Sequence, residues 1–202
     1  MKKAQTSKFN NKSCKLEGCN GHMKWLVETL GPVILGAKPA EIISYPKFDC
    51  SRCEKLQAID VNFEKAIKVK YRKVVQENGQ IKIIFYDPKH LDRSLNDLRH
   101  RKFLSSMGYP LNGTTEEYLD ILTRKLKKGY CPDEIGIFLG YPLKDVLGYM
   151  GHPSLKLTKV QYWRVYGNSK VSDEKYQEIV DSRNEMKCMM SDSSLSCVLQ
   201  AI

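Results

Sequence analysis

Apolar residues along this chain change their period several times, and each change marks an element. Ile67, Val69 and Tyr71 alternate with Lys68, Lys70 and Arg72, a period of two that predicts a half-buried strand. Asn78-Gly79 follows, then the apolar run Ile81 to Tyr86, and together they predict a β-hairpin on a type I′ turn. Counting back from that turn sets Val75 opposite Lys82 and Tyr71 opposite Tyr86, with a bulge near Lys73-Val74 where the alternation slips. Beyond it the spacing becomes helical. Asp87-Pro88 opens a helix whose buried stripe is Leu91, Leu95 and Leu98 and which Gly108 closes. Thr114 and Glu117 form a capping-box pattern ahead of a second stripe, Leu119, Leu122 and Leu126. Arg124, Lys125, Lys127 and Lys128 complement the dipole at its far end. Two short helices, Pro132 to Leu139 and Pro142 to Met150, precede a strand Val160 to Tyr166 and a helix begun by Ser172-Asp173-Glu174. Upstream, a short helix over Met23 to Leu30 stops at Gly31-Pro32, and an apolar segment of undecided type runs through Ile43 to Tyr45-Pro46. This order predicts an α+β protein: a small, mainly antiparallel sheet containing the basic hairpin, with helices packed on it.

The ends of the chain depart from that patterning. Residues 1–21 are polar and predict a flexible, Cys-containing tail; residues 22–186 predict a single α+β domain; residues 187–202, Ser- and Met-rich without period, predict a disordered tail. A chain of 202 residues can bury roughly 70% of the surface its unfolded form exposes. With 42% hydrophobic and 28% charged residues, the composition is globular, and the longest apolar runs fall far short of a membrane span. The lysines near Met1 precede no apolar block, so neither a secretory signal nor an anchor is expected and a cytoplasmic location is the default. In that setting the seven cysteines are expected to be reduced thiols or metal ligands.

Charge adds a direction to this picture. Of the formal net charge of +10, residues 65–128 contribute +8, from 15 Lys/Arg against 7 Asp/Glu. Lys68, Lys70, Arg72 and Lys73 surround Tyr71 on one predicted strand, a ribbon that could track phosphates while the ring stacks on a base. Arg93, Arg99, Arg101 and Lys102 extend the cationic surface onto the next helix. The competing explanation is a solvated edge guarded by lysines. The pairs Cys14-x4-Cys19 and Cys50-x2-Cys53 could supply four thiolates to one zinc, with His22 able to replace one, or they could be unrelated thiols. Pro132 to Val146 has the outline of a helix-turn-helix, an outline that plain packing of two short helices also produces, and Lys144 is the one base on its second helix. Nucleophile-elbow, P-loop, dinucleotide and zinc-protease motifs are missing from the sequence. Glu134 sits in a first helical turn, where an acid is expected for the dipole alone. Trp163 and Tyr166 fall on opposite faces of a predicted strand, so that one of them could line a pocket.

Several local blocks carry a resemblance. Gly36-Ala37-Lys38-Pro39-Ala40, Tyr86-Asp87-Pro88, Gly108-Tyr109-Pro110, the run from Pro132 to Pro142 with Asp145-Val146, and Tyr162-Trp163-Arg164-Val165-Tyr166-Gly167 resemble a domain-of-unknown-function family (domain of unknown function 3793) of clostridial-type anaerobic bacteria. The likeness runs from about Met23 to about Met186, and Glu134-Ile135-Gly136-Ile137-Phe138-Leu139-Gly140-Tyr141-Pro142 is its most specific part. The resemblance implies fold and boundaries and brings no activity with it.

Three functions follow as alternatives. The first is binding of an anionic partner, nucleic acid, phosphate-bearing ligand or acidic protein, through the basic hairpin and helix. The second is an enzyme or redox accessory protein that binds a phosphate-bearing cofactor or docks on an acidic carrier such as a flavodoxin, with Glu134, Tyr141 and Trp163 lining its site. The third is a zinc-stabilised adaptor.

Overall fold

The structure, a computed structural model, describes residues 11–64, 66–192 and 195–200; the side chains of residues 11–20, Cys14 and Cys19 among them, lie outside what it describes. The chain is α+β. Its first helix, α1 (Asn11–Ile34), runs through Gly31-Pro32 instead of stopping there. The missing Pro32 donor falls in the last turn, and Gly31 serves a different purpose from the expected break. A Cβ at Gly31 would stand 2.6 Å from the Cβ of Met186, so the glycine is where a later helix crosses α1 at close range.

The undecided segment is a strand, β1 (Ala40–Tyr45), followed by α2 (Arg52–Phe63), β2 (Lys70–Val75) and β3 (Ile81–Tyr86). These strands form one antiparallel sheet in the order β1-β3-β2. On one face Ile43, Tyr45, Ile83 and Phe85 pack with Leu26, Leu30, Ile59 and Phe63 of α1 and α2. On the other, Ala40, Val74, Ile84 and Tyr86 meet helices from the second half of the chain. Helices covering both faces explain why central β3 is apolar at four successive positions, Ile83 to Tyr86, and does not alternate there.

The hairpin register differs from the expected one by a single residue. Val75 pairs with Ile81, Val74 with Lys82 and Tyr71 with Phe85, and no bulge interrupts the ladder. The cause is the turn: Gly79 takes a positive φ of 81° while Asn78 does not, and the Gly79 N–H donates to Gln76 O (2.9 Å). That is a type I turn completed by a left-handed glycine, a three-residue connection in place of the two-residue type I′. The extra loop residue absorbs the slip that the sequence assigned to Lys73-Val74.

The helix expected from Pro88 to Gly108 divides into α3 (Pro88–Leu95) and α4 (Leu98–Ser106). Asp97 caps α4 by accepting from Arg99 N–H, and Leu98, expected in the stripe, is 72% exposed. The helix α5 (Thr115–Lys127) has the full Thr114–Glu117 capping box and buries Leu119, Leu122 and Leu126. After it come α6 (Ile135–Phe138), α7 (Leu143–Tyr149), the hairpin β4 (Leu157–Val160) and β5 (Arg164–Tyr166), α8 (Lys170–Asp192) and α9 (Leu195–Gln200). Tyr162 and Trp163 therefore lie in the β4–β5 turn and not on one continuous strand. The boundary expected at residue 187 falls inside α8, and Met190 and Val198 join the core shared with α1.

Several acidic caps tie this stability to pH. Hydrogen bonds from Lys55 and Ser51 hold the Asp49 carboxyl down at about 2, against 3.8 in an unstructured chain. Arg99, by its side chain and then its N–H, holds Asp97 well below its ordinary value too. Carboxyls depressed in the folded state contribute stability above their unfolded pKa and lose it as pH falls through the folded one. The melting temperature should thus decline between roughly pH 4 and pH 2, and Asp49→Asn should flatten the upper part of that decline.

Candidate functional site

Two of the hairpin's cations, Arg72 and Lys73, are answered by the chain's own acids. The Arg72 guanidinium reaches Glu116 and Asp120 of α5. Lys73 pairs with Asp60 of α2 at 2.5 Å, and the Tyr71 hydroxyl donates to the same carboxylate at 2.7 Å. Lys70 donates to Ala66 O at 2.8 Å, Arg99 pairs with Asp97, and Arg101 donates to Asn96. Lys68 is exposed. These cations brace the sheet against α2 and α5, and Tyr71 packs against the core with Phe63 and Phe85.

Two acids in and just after the most specific block, Glu134 and Asp145, are deeply buried. Glu134, expected in a first helical turn and offered as a candidate site residue, is 1% exposed and meets Lys125 Nζ at 2.5 Å and the Tyr109 hydroxyl at 3.1 Å. Lys125 also stacks over the Tyr109 ring and donates to Met107 O at 2.9 Å. Burial first, and Glu134 next, push the Tyr109 phenol far above its ordinary range. Glu134 thus joins α5 to α6 and lines none of the cavities described below. Asp145, which the sequence did not single out, accepts from Trp163 Nε1 (2.8 Å), Tyr166 N–H (2.9 Å), Ser172 Oγ (2.6 Å) and Lys144 Nζ (2.6 Å). It fastens α7, the β4–β5 turn and α8 together. Lys144, the one base of the helix-turn-helix outline, is consumed there, and Gly136 would place a Cβ 2.7 Å from Val146 Cγ2. The small residue serves the packing of α6 on α7.

Around this framework Tyr141 stacks on Trp163, with centroids 4.6 Å apart and planes 18° off parallel. Burial, with Glu41 next, pushes the Tyr141 phenol up to about 12. Two of the cavities that the ring borders stand out in size. The smaller, about 290 Å³, lies between α6, α7 and the β4–β5 turn. The larger, a groove of about 620 Å³, runs between the loops Gly36–Pro39 and Gly140–Lys144, helices α3 and α4, and α8. His90 and His100 line the groove. Asp87, buried at the head of α3, accepts from His90 Nδ1 at 2.8 Å, and Ser94 O accepts from His100 Nδ1 at 2.7 Å. A ring nitrogen facing an oxygen acceptor carries the proton, so each Nε2 is released, and neither has a hydrogen bond among the described residues. The Cε1 edge of the His90 ring approaches Gly36, where a Cβ would stand 2.8 Å from Cε1. Asp87-x-x-His90 after a strand end was the available sequence signal for this pair, and the scatter of the histidines along the chain concealed it.

Cys50 and Cys53, before and in the first turn of α2, are exposed free thiols. Among the described residues no group of three or more His, Cys, Asp or Glu side chains could hold a metal; Cys14 and Cys19 lie outside the described side chains. His22 hydrogen-bonds Tyr45 Oη through Nε2 at 3.1 Å, and its burial lowers its affinity for a proton.

The blocks at Gly36–Ala40, Pro132–Val146 and Tyr162–Gly167, distant in sequence, supply residues to the linings of the two cavities, and Asp87 of the Tyr86–Pro88 block holds His90 in the groove. Residues 26–199 match the family model described as "Protein of unknown function (DUF3793)". The chain belongs to the DUF3793 family. No curated protein and no solved structure matches it. Within this DUF3793 member, no helix of the described residues is long and apolar enough to cross a membrane.

Proposed function

We propose that the protein binds a phosphate-bearing ligand in the groove between α3–α4 and α8. The observation that carries this reading is the pair of histidines whose Nδ1 atoms are fixed and whose Nε2 atoms are released into one groove. Arg93 supplies a positive charge beside them with no ion pair among the described residues. Asp97 and Glu178 in the same lining are already matched by Arg99 and Lys175. Glu174, on α8, makes no ion pair, which assigns the phosphate to the α3–α4 side. With Nδ1–H committed, Nε2 accepts from a protonated phosphate oxygen or, in the imidazolium form, donates to an ionised one, while the Arg93 guanidinium donates directly; the Asp87 contact pre-orients the first ring. The anionic-partner reading thereby moves from the hairpin, where Arg72 and Lys73 have acidic partners, to the groove.

Calorimetric titration of the full chain at low salt tests this. AMP is expected to bind and adenosine not, with an affinity that falls as salt rises. Joint His90→Gln and Arg93→Gln should weaken AMP at least tenfold, whereas Lys68→Ser with Lys70→Ser should leave it unchanged. If AMP, pyrophosphate and inorganic phosphate all fail to bind, the reading is lost. A nucleic-acid complex that depends on Lys68 and Lys70 would return the function to the hairpin.

A further inference from the structure

The smaller cavity has a different character from the groove. Its walls are apolar and aromatic: Ile135, Val146 and the stacked pair Tyr141 and Trp163. A cavity of about 150 Å³ accommodates benzene. At about 290 Å³, this one has room for two fused rings or one ring with a short chain. Rings set against Tyr and Trp gain from offset or edge contact beyond the area they bury, so a flat aromatic body fits the lining best.

Three charged residues border the cavity. Asp145 has its oxygens filled by Trp163, Tyr166, Ser172 and Lys144 and offers nothing to a ligand. Asp133 and Arg164 are exposed at the mouth, and neither has a hydrogen-bond or ion-pair partner for its side chain among the described residues. Arg164 is held over the Tyr149 ring at 5.8 Å, a contact that places its guanidinium at the rim without using its hydrogen bonds. An apolar, ring-sized cavity thus ends in one unpaired cation and one unpaired anion.

We infer that this cavity binds an aromatic α-amino acid of two-ring size, its ring among Tyr141, Trp163, Ile135 and Val146, its carboxylate at Arg164 and its ammonium at Asp133. A planar acid alone would leave Asp133 unanswered, and an amine alone would leave Arg164 so. The zwitterion answers both, and each charge-assisted hydrogen bond adds to a body already favoured by apolar burial.

Calorimetric titration of the full chain with L-tryptophan, indole, indole-3-propionate and tryptamine separates the contributions. L-tryptophan is expected to bind at least fivefold more tightly than any of the other three. Arg164→Gln should erase its margin over tryptamine and Asp133→Asn its margin over indole-3-propionate, each without a change in melting temperature, since both side chains are exposed. Cys131→Trp, which fills the mouth from an exposed position, should abolish binding. The His90→Gln, Arg93→Gln variant should bind L-tryptophan normally, so this site stands apart from the phosphate groove. Indole matching L-tryptophan, no binding by any of the four, or full binding by Cys131→Trp would each overturn the assignment.

Discussion

Asp145→Ala is expected to destabilise the protein by about 3–5 kcal/mol, the range for removing one side of a buried, hydrogen-bonded charge pair. The carboxylate is 2% exposed, and three of its four donors, Trp163 Nε1, Tyr166 N–H and Ser172 Oγ, are buried with it. Alanine leaves those donors without their acceptor. Asp145→Asn keeps the acceptor oxygen and loses the charge, so its cost should be nearer about 1–3 kcal/mol. Urea unfolding midpoints at neutral pH, followed by Trp fluorescence, measure both. An alanine variant within about 1 kcal/mol of the parent would show that the β4–β5 turn is held by its apolar contacts alone.

The second large effect is expected at Gly140. Its φ of 77° lies where a Cβ is strained, and that Cβ would stand 2.5 Å from Pro39 Cδ and 3.2 Å from Cγ. Left-handed strain of about 1–2 kcal/mol and overpacking of about 1–3 kcal/mol together predict that Gly140→Val costs about 2–5 kcal/mol. Gly151 supplies the control. Its φ is 90° with nothing within 4 Å of a built Cβ, so Gly151→Ala should show the strain by itself. Equal losses at the two positions would mean that Pro39 moves aside freely and that the Gly36–Pro39 loop does not pack firmly on Gly140.

The contrast between Gly140 and Glu134 shows what the sequence could and could not supply. A glycine closing a short helix before Tyr-Pro is a local signal, as are the Thr114–Glu117 capping box and the leucine stripe of α5, because all three depend on backbone geometry within a turn or two. The fate of Glu134 depends on Lys125 and Tyr109, 9 and 25 residues away, and no local pattern encodes that meeting. The hairpin occupied an intermediate position. Its strands were legible, yet its register turned on whether Asn78 or only Gly79 took positive φ. In the candidate site, Tyr141 and Trp163 could be singled out as large rings in specific blocks, but their stacking could not. His90 and His100, isolated in sequence, become a pair only because α3 breaks and α4 turns back at Asp97. The basic residues show the same limit: charge is visible in a sequence, and the pairing of Arg72 and Lys73 with Asp60, Glu116 and Asp120 from other elements is not.

The crossing of α1 and α8 at Gly31 and Met186 has a consequence for the order in which the molecule can be completed. The sheet and its first helices are linked by short connections, whereas α1 meets α8 only after some 150 residues of intervening chain have been made and folded back. Until then Leu30, Val33 and their neighbours on α1 lack part of their cover. During synthesis at about 5–20 residues per second, that apolar stripe stays open to solvent, and to chaperones, for seconds to tens of seconds. The same closure makes α1 and α8 one mechanical unit, so a pull on either helix is shared between the Gly31–Met186 contact and the sheet on which α1 packs.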